Sequence, residues 1–475
     1  MKDETPYDRL PYTDHAYAES HPNRLAVVAR LSGWQAPDVA ASRILEIGCA
    51  RGGNLLPMAM GLAGASLVGI DPSQRQVDEA LRAVREARLP NVRVLQAGFE
   101  TAELAPGSFE FVLCHGLYSW IAAPARRELL RAIGRWLAPG GIAYVSFNTL
   151  PGWYERLAAK DWLRRSFANG ANEALASLGW LHERVSPELG TYRRGLENVL
   201  ARLHETERAY LVHEYLSEEH HPVYVGAFLA EAAEAGLSYL GDAIPQNVAL
   251  ELLPEDVEAR VRELDVGATQ ETIDFVKGTS FRRALLVRAD ACTERGWRCP
   301  KRLDPAAIAS LRIASRLREA SPGVFQGAHE SVQVPDAMAT AALRELERAA
   351  PLSLAFHDVT GADPALASEL FDVWLATGEL DLYAHAPPMA ARAAERPEAP
   401  SLIRWQAMHD ATITNLWHQE VRLPEALVRF VLARLDGTRT AQELAHEASR
   451  AGFAADEPSV RIAMDLLAAS ALLSR

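Results

Sequence analysis

Lysine is nearly absent from this chain. Among 49 basic residues in 475 positions, only Lys2, Lys160, Lys277 and Lys301 are lysines. With so much alanine alongside, we read that skew as coding bias rather than function. Cysteine is as scarce. Cys49, Cys114, Cys292 and Cys299 are irregularly spaced, with no C-x-x-C and no His/Cys cluster. That argues against a zinc site and leaves reduced structural thiols. No apolar run is long enough to span a bilayer, and the N-terminal MKDETPYDRLPY has no apolar signal core. The reading is a cytoplasmic protein with no membrane partner. Basic excess is missing too: the net charge is −13, and residues 301–475 carry 17 basic against 23 acidic side chains. A nucleic-acid binder shows a basic footprint, so no nucleic-acid partner is expected. An acidic solvated surface is the bland account and a cationic partner the functional one. What is present is ordinary for a globular protein, 49% hydrophobic and 23% charged residues. The length suits two or three domains with ample core.

The chain is organised around Ser42 to Asp71. A short apolar strand, Arg43 to Ile47, runs into a turn, Gly48-Cys49-Ala50-Arg51-Gly52-Gly53. A helical run follows from Asn54, and a second strand, Ser66 to Ile70, ends on Asp71. A glycine-rich strand-to-helix turn lets backbone N–H groups approach a ligand, and an acid at the next strand tip can hold two ribose hydroxyls. A dinucleotide site wants G-x-G-x-x-G. Here Ala50 stands at the second glycine, and Glu46 precedes the turn, where a carboxylate would repel a pyrophosphate. S-adenosylmethionine has a cationic amino-acid tail and no phosphate, so the E-x-G-x-A-x-G-G turn favours a class I methyltransferase over a dehydrogenase. Ala50 is expected to fit by keeping φ below zero. The bland alternative is a tight turn in any α/β domain.

Strands and helices alternate onward: helix 74–88, strand 91–96, strand 109–114, helix 124–136 and strand 142–147. Such alternation predicts an α/β doubly wound Rossmann-like sheet. Its ligands gather at the carboxyl ends of the strands, where Gly48, Asp71, Gly98, His115 and Asn148 lie. We expect a Rossmann-like cofactor-binding core over 1–154 and a charged helical insertion, lid or dimer arm, over 155–219. Residues 220–298 complete the sheet with strands 237–240 and 281–288. A winged-helix-like domain (299–386) and a second helical, winged-helix-like domain (387–475) follow, read as protein-contact modules. The aromatic preface Tyr7–Tyr17 is either a cover over the cofactor mouth or an arm stapled to the sheet. His213, Glu214, His220 and His221 look metal-like, but H-E-x-x-H would need His where Ser217 stands. They are read as a solvated helix face, and no metal is expected.

Several runs carry a more specific signal: YDRLPY and SHPNRLA, LEIGCARGGNLLPMA, GIDPSQRQV, HGLYSWI, LAPGGIAYVSFNTLPGW, HEYLSEEHHPVY, SFRRALLVR, TNLWHQEVRL and LDGTRT. On these the chain resembles bacterial class I methyltransferases with a methyltransferase regulatory domain, among them the rickettsial protein-lysine methyltransferases. The resemblance implies S-adenosylmethionine-dependent N-methylation of lysines in a protein or peptide, often in a homodimer. Gly98 stands where many such enzymes place an Asp for the adenine amino group, so cofactor affinity could be reduced. The cofactor-binding candidates are Glu46, Gly48, Cys49, Ala50, Gly52, Asn54, Asp71, Pro72, Gln76, Gly98, Phe99 and His115.

Methyl transfer is an in-line displacement, so positioning dominates. A lysine acceptor must first lose a proton, at a cost of roughly 4–5 kcal/mol at pH 7 given a free pKa of ~10.4. Desolvation among aromatic rings lowers that pKa, and the ring faces attract the ammonium. His115, Tyr118 and Asn148 are the catalytic candidates, with Tyr12 beside them and Trp120 and Trp153 as channel walls. The bland readings are a loop-capping histidine and core aromatics. Two other functions stay open: a small-molecule or natural-product N- or O-methyltransferase, and a methyltransferase fold with spent activity kept for binding.

Overall fold

Seven apolar segments pair into one sheet: β1 (Arg43–Ile47), β2 (Ser66–Asp71), β3 (Val92–Gln96), β4 (Phe109–Cys114), β5 (Leu137–Asn148), β6 (Leu237–Asp242) and β7 (Phe281–Arg288). The computed structural model describes residues 14–166, 171–206, 210–327, 331–361 and 363–474. The strand order is β3-β2-β1-β4-β5-β7-β6. The first five are parallel, and β7 runs antiparallel between β5 and β6. Chain order reverses between β1 and β4, so a crevice opens at their carboxyl ends.

Side chains alternate along each strand and so split the core into two layers. Ile44, Leu67, Phe111, Leu113 and Tyr144 face the helices Pro22–Leu31, Leu55–Gly61 and Gln74–Glu86. Leu45, Ile70, Val112, Cys114 and Phe147 face the helices Ala123–Trp136 and Val225–Glu234. Both sheet faces are covered, which is why the inner strands read as near-continuous apolar runs. Near the outer edge, buried Arg282 on β7 donates from Nε to Asp274 at 2.9 Å and from Nη2 to the Gln270 carbonyl at 2.9 Å, and lies 3.7 Å from Asp242 on β6. This network fastens the helix Val266–Lys277 to the last two strands.

After β5 three helices, Tyr154–Ser166, Ala171–Arg184 and Gly190–Glu205, close on a core of their own around Leu163, Leu178, Leu196, Val199 and Tyr215. Trp180 is half exposed and stacks on Trp162. The next segment, Leu211–Leu216, is a π-helical turn rather than a continued α-helix. Residues 217–224 then run extended, so His220 and His221 lie on no helix face.

Two further units complete the chain. In the first, Arg312–Ser315 pairs between Leu354–Ala355 and Leu380–Tyr383, with the helices Ala337–Ala349 and Pro364–Thr377 packed on that small sheet. Val27 and Leu31 of the helix Pro22–Leu31 enter its core. The second has the helix Ser401–His409, a hairpin of Ile413–Thr414 with Glu420–Val421, and the helices Ala426–Leu432, Ala441–Arg450 and Glu457–Ala469. Leu402 enters the core of the large sheet, and Trp405 donates to Glu86 at 2.7 Å. Among the described residues no helix is long and apolar enough to cross a membrane.

Candidate functional site

The turn after β1 holds three residues at positive φ: Gly48 (75°), Ala50 (48°) and Gly52 (86°). The expectation that Ala50 keeps φ below zero is therefore wrong. A left-handed alanine costs about 1–2 kcal/mol, and the neighbouring acid compensates: Asp71 Oδ2 accepts the Ala50 N–H at 3.0 Å, while Oδ1 accepts the Ser73 N–H at 2.9 Å. Gly48 and Cys49 both donate to the Ile70 carbonyl, locking the turn to β2. Cys49 turns its thiol inward, against the bare backbone of Gly69, and burial pushes that thiol well up. It can offer the crevice only backbone.

Glu46 pairs with Gly69 in the β1–β2 register. Gly69 and Asp71 are two residues apart on β2, so both carboxylates project from the same face. Glu46 is 3% exposed. Its Oε1 accepts from Asn54 Nδ2 at 2.7 Å, and its Oε2 is buried with no partner. A third acid joins them: Asp14 accepts the Gly53 N–H at 2.8 Å and lies 3.8 Å from Arg51. Burial, reinforced by neighbouring carboxylates, raises Glu46 to about 8 and Asp14 to about 6. Asp14 and Asp71 both act on Glu46, whose orphaned carboxylate oxygen completes a site built for a cation. A sulfonium with an ammonium tail fits it; a pyrophosphate does not.

Asn54 joins these acids to two distant segments. Its Oδ1 accepts the Tyr17 N–H at 2.9 Å and hydrogen-bonds His418 Nε2 at 2.9 Å, and its Nδ2 donates to Ser20 at 3.0 Å. The Tyr17 ring stacks on His115 with centroids 3.5 Å apart and planes 16° apart. His115 Nδ1 meets the Tyr144 hydroxyl at 2.9 Å. Burial, with Arg283 nearby, lowers His115 to about 3, so its ring is neutral.

A second cluster forms where β4 and β5 end. Asn148 Nδ2 meets His220 Nε2 at 3.0 Å. An amide nitrogen only donates, so Nε2 accepts and the ring proton sits on Nδ1. Burial, with Lys160 close by, lowers His220 to about 3, in keeping with that neutral ring. The His220 ring lies 4.4 Å from Trp120 and 4.2 Å from Trp153, centroid to centroid. Lys160 Nζ lies 5.1 Å from the centre of the Trp120 ring.

The structure thus brings Glu46, Asn54, Asp71 and His115 to the cofactor crevice, and Asn148, Trp120 and Trp153 to the second cluster. Others it places elsewhere. Tyr118 is a correction: it is fully buried against Phe147 and Phe228 on the opposite sheet layer, and its hydroxyl donates to Glu231 at 2.5 Å. The Phe99 ring packs in that same layer. Gly98 spends its N–H on Thr101 at 3.2 Å, with the Glu100 carboxylate alongside. Pro72 is exposed at the rim. Gln76 is buried behind Ser73 with its Oε1 unpartnered. Tyr12 lies outside the described residues. Reading His220 as solvated was also wrong, since two indole rings enclose it. No group of metal ligands occurs among the described residues. Asp14, Tyr17, Lys160 and His418 were not expected in the site, though Tyr17 and His418 lie in segments that sequence reading singled out.

Comparison with known proteins agrees with this geometry. A methyltransferase domain model matches residues 44–141, a predicted methyltransferase regulatory domain matches 207–288, and the C-terminal winged helix domain of PKMT matches 395–454. An uncharacterized protein of Rickettsia prowazekii is 33% identical over 297 residues, covering 61% of this chain and 54% of its own length. This chain therefore spans about half of that relative. A second R. prowazekii protein is 27% identical over 232 residues, covering 48% of this chain and 93% of its own. The structure of PKMT2 from Rickettsia typhi in complex with AdoHcy superposes with a TM-score of 0.86 at 21% identity, covering 98% of this chain and all of that one. The chain thus has a Rossmann-like methyltransferase fold that suits S-adenosylmethionine as cofactor, is similar to a methyltransferase regulatory domain over 207–288 and to the PKMT winged helix over 395–454, and shares its overall fold with rickettsial PKMT2.

Proposed function

We propose that the chain methylates lysine side chains of a protein or peptide. One observation supports this reading: Trp120 and Trp153 flank His220, which holds the Asn148 amide, where β4 and β5 end. S-adenosylmethionine, when bound, supplies a methyl group on a cationic sulfur. Glu46 and Asp14 would hold its cationic tail, and Asp71 its ribose hydroxyls. Asp71 also keeps Ala50 in the left-handed region that shapes the crevice. An arriving ammonium meets ring faces that attract it and a dry pocket that favours its neutral form. With Nδ2 committed to His220, the Asn148 amide turns its oxygen the other way, where it can accept an amine N–H and aim the lone pair. Neutral His220 does not take the proton at physiological pH; it orients Asn148.

Incubating the full chain with S-adenosylmethionine and a bacterial lysate, followed by peptide mass spectrometry, tests the proposal. Methyl groups on lysines are expected; label confined to the small-molecule fraction would select the alternative enzyme. Asn148→Ala is expected to lower kcat by about 10²-fold while leaving cofactor affinity, read by calorimetry, within about threefold. Equal losses in both would place Asn148 on the cofactor instead.

A further inference from the structure

Lys160 stands in the middle of the second cluster, and no part of the reaction uses it. It is 3% exposed, on the inner side of the helix Tyr154–Ser166. Its Nζ lies over Trp120 and donates to the backbone carbonyl of Glu214 at 2.6 Å. The Glu214 and Asp161 carboxylates favour its charged form, yet burial outweighs them. A buried ammonium is unfavourable, and here burial lowers its pKa to about 8. The Glu214 carbonyl is in reach because residues 211–216 form a π-helical turn, a distortion that concentrates at functional sites. The composition sharpens the point. In a chain where arginine fills nearly every basic position, one of only four lysines sits here, a compact ammonium over an indole face.

We propose that the Lys160 amine is an internal occupant of the acceptor pocket, filling a site built for a primary alkylammonium until a substrate lysine displaces it. The inference rests on the functional reading above and deepens it. The Nζ-to-Glu214 bond is the contact that must break, and the substrate ammonium inherits both the Trp120 face and that carbonyl. The pocket thereby stays filled between substrates, and acceptor affinity carries the cost of expelling Lys160.

Calorimetric titration of n-butylammonium chloride into the cofactor-free full chain tests this. Lys160→Ala is expected to bind the amine at least about tenfold more tightly than wild type, and adding Trp120→Ala is expected to abolish the gain. A folded Lys160→Ala chain that shows no gain, or a gain that survives Trp120→Ala, overturns the proposal. If Lys160→Ala does not fold, Lys160→Met keeps the volume and removes the charge. Its KM for a lysine peptide is then expected to fall roughly two- to tenfold at unchanged kcat. An unchanged or raised KM marks Lys160 as structural and overturns the proposal. The two readings separate cleanly. Lysine methylation by wild type with no amine binding in the alanine variant removes the internal occupant alone. Amine binding in the variant with no lysine methylation by wild type supports the ammonium pocket and removes the functional reading.

Discussion

At the scale of single residues, the cofactor crevice is a compromise between electrostatics and backbone strain. Ala50 occupies a conformation that suits glycine, held there by its N–H bond to Asp71. Ala50→Gly is accordingly expected to stabilise the fold by about 1 kcal/mol in urea unfolding; a loss of stability would show that the methyl group has a packing role outweighing the strain. Glu46 sets the pH behaviour. Its folded pKa of about 8 lies above the ordinary carboxylate value of 4.5, so the folded state binds more protons than the unfolded state between those values. Stability of the cofactor-free chain should therefore fall as pH rises from about 5 to 8. Cofactor affinity should rise over the same window, because a cation prefers the ionised acid. Glu46→Gln is expected to flatten the fall in melting temperature and to weaken cofactor binding by at least about tenfold at pH 8. A melting profile as steep as that of wild type would remove Glu46 as the cause.

At the scale of elements, β6 and β7 turn a five-stranded parallel sheet into a seven-stranded one, and buried Arg282 fastens them. Removing its guanidinium would strand Asp242 and Asp274 beside each other in the dry interior. Arg282→Leu is expected to cost about 3–5 kcal/mol in denaturant unfolding; a loss below about 1 kcal/mol would mean that water relieves the two acids. Elements were also what the sequence made most legible. The strand–helix alternation and the turn around Gly48 to Gly53 predicted the parallel sheet, and its register puts Glu46 and Asp71 on one face. Side-chain direction after a strand was not legible. Tyr118 and Trp120 lie two residues apart in HGLYSW, yet a 3-10 turn, Tyr118–Trp120, sends one into the core and the other against His220. Helical periodicity misled at His220 for a comparable reason. The helix expected through Glu219 breaks at a π turn that propensity does not reveal.

At the scale of the whole molecule, the crevice is closed by pieces far apart in sequence, which no local pattern could have shown. Residues 14–20 cross the glycine turn, where Asp14 meets Gly53, Tyr17 covers His115, and Ser20 meets Asn54. The hairpin loop of the C-terminal unit then packs over them. His15 reaches Glu420 at 2.7 Å, and His418, buried at φ 61°, bonds the same Asn54 amide that orients Glu46. Burial lowers His418 to about 3, so a neutral ring donates through Nε2 to Asn54 Oδ1. A chain of contacts thus runs from the C-terminal hairpin through His418 and Asn54 to the orphaned acid of the cofactor crevice. If that chain positions Glu46, His418→Ala should weaken cofactor binding by roughly three- to tenfold, the worth of one buried hydrogen bond. His418→Gln, which can still donate to Asn54, should recover most of the loss. Calorimetry on both variants, with melting temperatures alongside, decides the matter. Equal affinity in all three proteins would reduce the contact to domain packing, and a loss that glutamine fails to rescue would trace the effect to the shape of the loop rather than to the bond.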